Sequence, residues 1–289
     1  MLTEETLFSY VSQSDCTEQG VLSEYGCVQR LDEADRQFRL ICALSESLVG
    51  ARRVRHIRFH TPAPCSTLLV VSSLVCFDGP HILTIVHQMK NAVTGEVLAT
   101  AIDGYTPPAG TARTFRSKFK DVVQAMPEEA APRALPPSPL ANKATLESIV
   151  EGGGSVTYRG TVLPRHLGAD NKADDGFVAQ CIGEALPHVW QQTPLNLGWQ
   201  QETGSERRLF EMKLTWISPL KAGESFVIAV SLTGTQANML GARFFVFESR
   251  ASRLCAITDT AFGPVCRESG EPAGLPTGTQ EALSRLRAD

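Results

Sequence analysis

Residues 14–44 read SDCTEQGVLSEYGCVQRLDEADRQFRLICAL, and the change of character at Val21 organises everything around it. Upstream the stretch is polar and turn-forming. Downstream, Val21, Tyr25, Val28, Leu31, Ala34, Phe38 and Ile41 recur three or four apart, the spacing of one apolar helix face. A long helix is expected from Val21 to about Leu44, behind the polar loop Ser14 to Gly20 and a short strand at Phe8 to Gln13. After Gly50 the period shortens. Arg53 to Thr61 alternates, and Leu68 to Phe77, Ile82 to Met89 and Val97 to Tyr105 are β-rich runs separated by Pro62-Ala63-Pro64, Asp78-Gly79-Pro80 and Thr94-Gly95.

The same order returns further along the chain. A strand at Ser155 to Leu163 leads into a polar loop at Pro164 to Asp175 and an apolar-periodic segment through Phe177, Cys181, Ala185 and Val189. Strands follow at Leu209 to Ile217, Phe226 to Leu232, Ala242 to Ser249 and Leu254 to Phe262. Phe59-His60-Thr61-Pro62 with Ser66-Thr67-Leu68 faces Trp216-Ile217-Ser218-Pro219 with Gly223-Glu224-Ser225, so in both halves a strand ends in Pro and resumes after a short gap. Duplication explains this better than two unrelated α+β domains with the same element order. The expected organisation is a first copy over 1–105, a linker with a basic amphipathic helix over 106–154, a second copy over 155–267 and a flexible tail over 268–289 that caps nothing essential.

With 289 residues, the chain is about two domains at roughly 150 residues each. Its 43% hydrophobic and 20% charged residues are ordinary globular composition. Lys plus Arg number 27 and Asp plus Glu 31, a formal net charge of -4, so no strong positive field exists to gather nucleic acid or anionic membrane. No apolar run approaches the roughly 20 residues of a membrane span, and Met1 to Tyr10 is acidic where a secretory leader is basic. The eight cysteines show neither C-x-x-C nor paired spacing, as expected of reduced thiols in a cytoplasm.

A long helix followed by an antiparallel sheet, with a turn rich in Asp and Gly just before the helix, resembles the hotdog fold of acyl thioesterases and dehydratases. The most specific likeness lies in Ser14-Asp15-Cys16-Thr17-Glu18-Gln19-Gly20-Val21-Leu22, where thioesterases of the 4-hydroxybenzoyl-CoA type carry D-x-D-x-x-G-H or a near variant. Asp15 and Gly20 fit; Thr17 stands where the family has its second, catalytic aspartate, Val21 where it often has histidine, and Glu18 is an adjacent carboxylate. In the second half Val162 to Lys172 resembles the V-x-P-x-x-x-D-x-x-G stretch of that family. Setting Phe177 against Tyr25 places Asp170 opposite Glu18 and Ala169 opposite Thr17. The resemblance implies a tandem, or double, hotdog of α+β class, a monomer that imitates the usual hotdog dimer, acyl pockets between the copies, and no cofactor or metal.

Thioester hydrolysis needs a group that activates water, donors for the carbonyl oxygen as it gains charge, and a slot for the acyl chain. A carboxylate beside a helix N-terminus serves the first two needs together, because the first-turn N–H groups point outward. The expected catalytic residues are therefore Asp170, with His166 as its polar partner, and Asp15, Thr17 and Glu18 as the counterpart site. Gly20, Val21, Asn171 and Arg58 are the expected substrate contacts. Asp15 and Thr17, or Asp170 and Asp174, are equally consistent with simple helix capping, worth about 1 kcal/mol. Glu24 and Glu184 are the helical carboxylates that could face a neighbouring loop.

Arg52, Arg53, Arg55 and Arg58, with Lys118 and Lys120, form the basic concentration. They are readable either as a contact for the pantetheine phosphate or an acidic carrier, or as solvated charges at a strand edge. His56, His60, His81 and His87 have no acidic or cysteine ligand interleaved at a helpful spacing, so a metal site is not expected. The sequence has no G-x-S-x-G, P-loop or G-x-G-x-x-G, and Gly152-Gly153-Gly154 precedes a strand rather than a helix. The expected activity is hydrolysis of an acyl thioester on CoA or an acyl carrier protein. The alternatives are a dehydratase, isomerase or cyclase on a carrier-bound polyketide-like chain, and a noncatalytic acyl-binding protein. Further dimerisation stays open.

Overall fold

A computed structural model describes residues 4–78, 81–135, 141–168, 171–236 and 239–286. The chain divides into two compact units, Met1–Pro132 and Arg133–Asp289. In the first, strand β1 (Glu4–Tyr10) leads through a 3-10 turn at Gln13–Asp15 to helix α1 (Glu24–Ile41) and the short α2 (Glu46–Val49). Strands β2 (Ala51–Phe59), β3 (Leu68–Cys76), β4 (Leu83–Asn91) and β5 (Val97–Thr106) follow, then α3 (Thr111–Phe119). The antiparallel order is β1-β3-β4-β5-β2. Helix α1 begins where the Ser23 hydroxyl accepts from Gly26 N–H at 3.1 Å, so Val21 stays in the loop, bridged to Pro64. The helix buries Val28, Leu31, Ala34 and Phe38 and packs on β1, β3 and β4, while Ile41, at its last turn, is exposed.

The second unit opens with α4 (Leu146–Glu151), capped reciprocally by Thr145 and Ser148, and continues with β6 (Ser155–Thr161), a 3-10 turn at Pro164–His166, α5 (Asp175–Gln191) and α6 (Leu197–Thr203). Strands β7 (Ser205–Trp216), β8 (Ser225–Gln236), β9 (Met239–Glu248) and β10 (Arg253–Cys266) and helix α7 (Thr279–Leu286) complete it. Its order, β6-β8-β9-β10-β7, is that of the first unit element for element. Asp174 caps α5 by accepting from Phe177 N–H at 2.6 Å, and the helix buries Phe177, Cys181, Ile182, Ala185, Val189 and Trp190.

The repetition extends to single hydrogen bonds. Thr17 N–H donates to Val21 O, Gly20 N–H to Thr17 O, Ser23 N–H to Asp15 O and Leu22 N–H to Ala63 O. In the second unit Gly168 N–H donates to Lys172 O, Asn171 N–H to Gly168 O, Asp174 N–H to His166 O and Ala173 N–H to Leu220 O. Both edge pairs carry a bulge at a buried threonine, Thr6 in β1 and Thr157 in β6. The pairs at the other end of each order, β5–β2 and β10–β7, skip one residue at the same place, Arg53 in β2 and Phe210 in β7. These bonds move the copies by one residue from the pairing expected from residue types: Gly20 matches Asn171, and Gln19 rather than Glu18 falls opposite the place of Asp170.

Segments expected to lie outside the cores contribute to them. Phe119 of α3 packs with Phe38, Leu83 and Tyr105, and Ile149 of α4 with Val227, Ala229 and Phe245. Residues 268–286 contribute as well. Val265 bridges to Pro272, and α7 packs on β8 with Leu283 buried.

Gly20 and Asn171 hold the left-handed conformation at φ 72° and 58°. Glycine adopts it without penalty and Asn is tolerated there, whereas a β-branched residue is strained. Gly20→Asn is therefore expected to leave urea-unfolding stability within about 0.5 kcal/mol of wild type, and Gly20→Val to lower it by about 1–2 kcal/mol. A Gly20→Val protein as stable as wild type would refute this reading of the turn.

Candidate functional site

The loop before α1 is held by its own side chains. Asp15 accepts from Arg30 Nη2 at 2.8 Å and from the Ser12 hydroxyl at 2.8 Å. Those bonds, with the Arg30 charge, hold its carboxyl below the usual range. Arg30 also donates to Tyr10 O and Gly26 O, so it ties β1, the loop and the first turns of α1 together. Asp15 is therefore an ion-pair anchor, and the cap of α1 is Ser23. Thr17 Oγ1 accepts from Gln19 N–H at 3.3 Å, Gly20 O accepts from Cys65 N–H, and Glu18 and Gly20 are exposed at the loop tip. Glu24, in the first turn of the helix, points outward.

The equivalent loop before α5 contains His166 and Asn171, while Asp170 and Ala169 lie outside the described residues. The His166 ring stacks on Phe177, 3.9 Å between centroids, and its Nδ1 accepts from Leu163 N–H at 3.0 Å. Burial and then the neighbouring Arg165 charge lower its pKa, favouring the neutral ring. Asp175, the first residue of α5, is buried and accepts from Trp216 Nε1 at 2.6 Å. Glu184 is exposed and accepts from Gln180.

Arg52, Arg55 and Arg58 are neither a phosphate contact nor a solvated edge; all three are taken up inside the first unit. Arg58, 8% exposed, donates to Glu129 O at 2.6 Å and Ala131 O at 2.8 Å. Arg55, 1% exposed, forks onto Asp103, Nε to Oδ1 at 2.8 Å and Nη2 to Oδ2 at 2.5 Å, and reaches Asp32 with Nη1 at 2.5 Å. Arg52 donates to Asp32 at 2.6 Å and Asp35 at 3.1 Å, and Asp35 also accepts from Arg39 Nε at 3.0 Å and Tyr105 Oη at 2.5 Å. Burial alone would raise the Asp32 and Asp103 carboxyls, but Arg55 and then Arg52 outweigh it and hold both below the usual range.

His87 extends this network, with Nε2 3.3 Å from Asp103 Oδ2 and Nδ1 2.7 Å from Ser73 Oγ. Ser73, His87 and Asp103 thus stand in the order of a nucleophile, base and orienting acid. All three are fully buried, and the Ser73 hydroxyl is also engaged with Thr6 at 2.7 Å, so the arrangement offers a substrate no approach. Asp35, His87 and Asp103 also bring potential ligand atoms within 4.8 Å of one another. Three carboxylates, Asp32, Asp35 and Asp103, already face three guanidinium groups, Arg39, Arg52 and Arg55, so the charge is balanced without a cation. By register, the second unit has Gly183, Leu186, Leu209, Met212, Phe244, Thr260 and Phe262 where the first has Asp32, Asp35, Arg52, Arg55, His87, Asp103 and Tyr105.

No family model matches the chain, and no curated protein does. Solved structures match it along nearly its whole length. A protein assigned as an oleoyl thioesterase from Lactobacillus plantarum aligns over 91% of this chain and 97% of its own, with TM-score 0.63 and 9% identity. The 12:0-ACP thioesterase from Umbellularia californica aligns over 89% and 93%, with TM-score 0.62 and 9% identity. The chain has a tandem hotdog fold. An acyl-ACP thioesterase from Bacteroides thetaiotaomicron matches this tandem hotdog over 89% of its chain and 96% of the other, with TM-score 0.56 and 8% identity. No helix among the described residues is long and apolar enough to cross a membrane.

Single replacement of a buried charge leaves its partners uncompensated. Arg55→Met, which copies Met212, is expected to cost about 3–5 kcal/mol in urea unfolding, as is Asp103→Thr, and the double variant to cost clearly less than the two together. Simple additivity would sink the coupling. Because both carboxyls titrate lower folded than unfolded, their contribution is complete above about pH 4 and is lost as pH falls below it. Acid titration of wild type should show that loss, and the double variant should show less of it.

Proposed function

We propose that this tandem hotdog is an acyl thioester hydrolase acting on acyl groups carried by CoA or an acyl carrier protein. The observation that carries the reading is the likeness over about nine-tenths of both chains to proteins named as thioesterases. At 8–9% identity that likeness is one of fold, so the chemistry must come from the loops. Each unit places a polar loop directly before a capped helix. The loop of the second unit is our choice for the reacting site: Asp170 takes a proton from water as the oxygen attacks the thioester carbonyl, and first-turn amides of α5 receive the developing oxyanion. The proton then passes to the departing thiolate, giving acid and thiol. His166, neutral and stacked on Phe177, positions the loop. In the first unit Asp15 is committed to Arg30, which leaves the exposed Glu18 as the carboxylate available to a counterpart site. Eight cysteines without a disulfide fit a reducing compartment such as the cytoplasm.

Thiol release from a panel of acyl-CoA and acyl-carrier substrates tests the reading. Asp170→Asn should lower kcat by about 100-fold or more. Asp15→Asn should instead lower stability and leave turnover per folded molecule close to wild type. Full turnover by Asp170→Asn would reject the assignment. Substrate dehydrated or isomerised without thiol release would replace hydrolysis by the proton-transfer alternative, and binding without turnover by the noncatalytic one.

A further inference from the structure

Two thiols meet at the loop of the first unit. Cys16 and Cys65 are both partly exposed, as is Cys266 of the second unit, whereas Cys27, Cys42, Cys76, Cys181 and Cys255 are buried. Their sulfurs hang on consecutive carbonyls: Cys16 Sγ donates to Ser12 O at 3.2 Å and Cys65 Sγ to Val11 O at 3.8 Å. Both thiols therefore lie against the same two-residue stretch of backbone, Val11 and Ser12. The backbone around them is already in register, because Cys65 N–H donates to Gly20 O at 2.8 Å, Leu22 N–H to Ala63 O at 2.8 Å, and Cys16 bridges to Leu22. In the second unit Leu167 bridges to Ala173 and Ala173 N–H donates to Leu220 O, with Leu167 and Ala222 at the positions of the two cysteines, so the fold does not require cysteine at either.

We propose that Cys16 and Cys65 form a thiol-oxidation site, converted by a small-molecule disulfide such as glutathione disulfide into an intramolecular bond that staples the loop before α1 to the turn between β2 and β3. One cysteine thiolate attacks the small disulfide, forms a mixed disulfide and expels one small thiolate. The second cysteine thiolate then attacks the protein sulfur of that mixed disulfide and expels the other. Two protein S–H bonds and one small S–S bond become one protein S–S bond and two small S–H bonds, and both electrons end on the small molecule. Burial, and next the Cys65 neighbour, push the Cys16 thiol above its usual range, so the rate of its attack should still be rising at pH 9 as thiolate forms. The site concerns loop chemistry and holds whether or not the chain hydrolyses thioesters.

The full-length protein is incubated with glutathione disulfide, alkylated without reduction and peptide-mapped by mass spectrometry. A Cys16–Cys65 linked peptide is expected, with a rise in unfolding midpoint of roughly 5 °C or more that a reductant reverses. Cys65→Ala and Cys16→Leu, each copying the second unit, should abolish both the linked peptide and the rise. The proposal is overturned if wild type yields only separate mixed disulfides, only intermolecular links, or unmodified thiols at these two positions. It is also overturned if oxidised Cys65→Ala shows the same midpoint shift. Mapping of wild type decides the matter even where a variant fails to fold.

Discussion

A sheet can wrap a helix only if the helix N-terminus is fixed against the strands that surround it. In this protein that constraint is met by a backbone clasp. Ser23 N–H returns to Asp15 O across the loop, while Leu22 N–H reaches Ala63 O beyond β2, so the entry to α1 is tied on both sides by main-chain bonds alone. Asp174 and Ala173 repeat both bonds before α5. Residue types at the clasp differ between the copies, Asp15 against His166 and Gly20 against Asn171, yet the bonds persist. The constraint acts on main-chain geometry, with side chains adding local anchors such as the Arg30–Asp15 pair.

With the frame fixed, the interiors beneath the two helices have diverged in chemistry. The second unit fills its space with Met212, Phe244 and Phe262, and the first places Arg55, His87 and Tyr105 at the same register positions. Apolar filling gains from burial without desolvating a charge, whereas each buried ion must recover its lost hydration through a partner. The forked Arg55–Asp103 contact and the shared Asp35 show how the first unit recovers it, and why its members are interdependent.

The strands were legible because alternation and Pro–Gly punctuation are local signals, and α1 because its apolar spacing runs over five turns. The helix began later than its pattern implied, since Ser23 sets the cap while Val21 turns outward to Pro64. Pairing aromatic Phe177 with aromatic Tyr25 sets the copies one residue out of register, because likeness of side chains does not fix which amide meets which carbonyl. The charged interior was visible in principle: Asp32 and Asp35 fall on or beside the apolar face of α1, one turn beyond Val28 and Leu31, and Asp103 interrupts an apolar strand. The role of the β2 arginines is not legible locally, because their partners come from α1 and β5, far away in sequence.

The connection between the copies carries its own polarity. Arg58 grips the carbonyls of Glu129 and Ala131, while Glu211 accepts from the amides of Arg133, Ala134 and Leu135 at 2.7, 2.9 and 3.1 Å. A peptide segment presents oxygens to a cation and hydrogens to an anion, so these two clamps are not interchangeable. At the positions equivalent to Arg58 and Glu211 the opposite copy has Thr215 and Val54, which carry no charge. Near-identical folds thus handle the same stretch of chain with opposite charges: a carboxylate at 58 or a guanidinium at 211 would meet the backbone groups it repels.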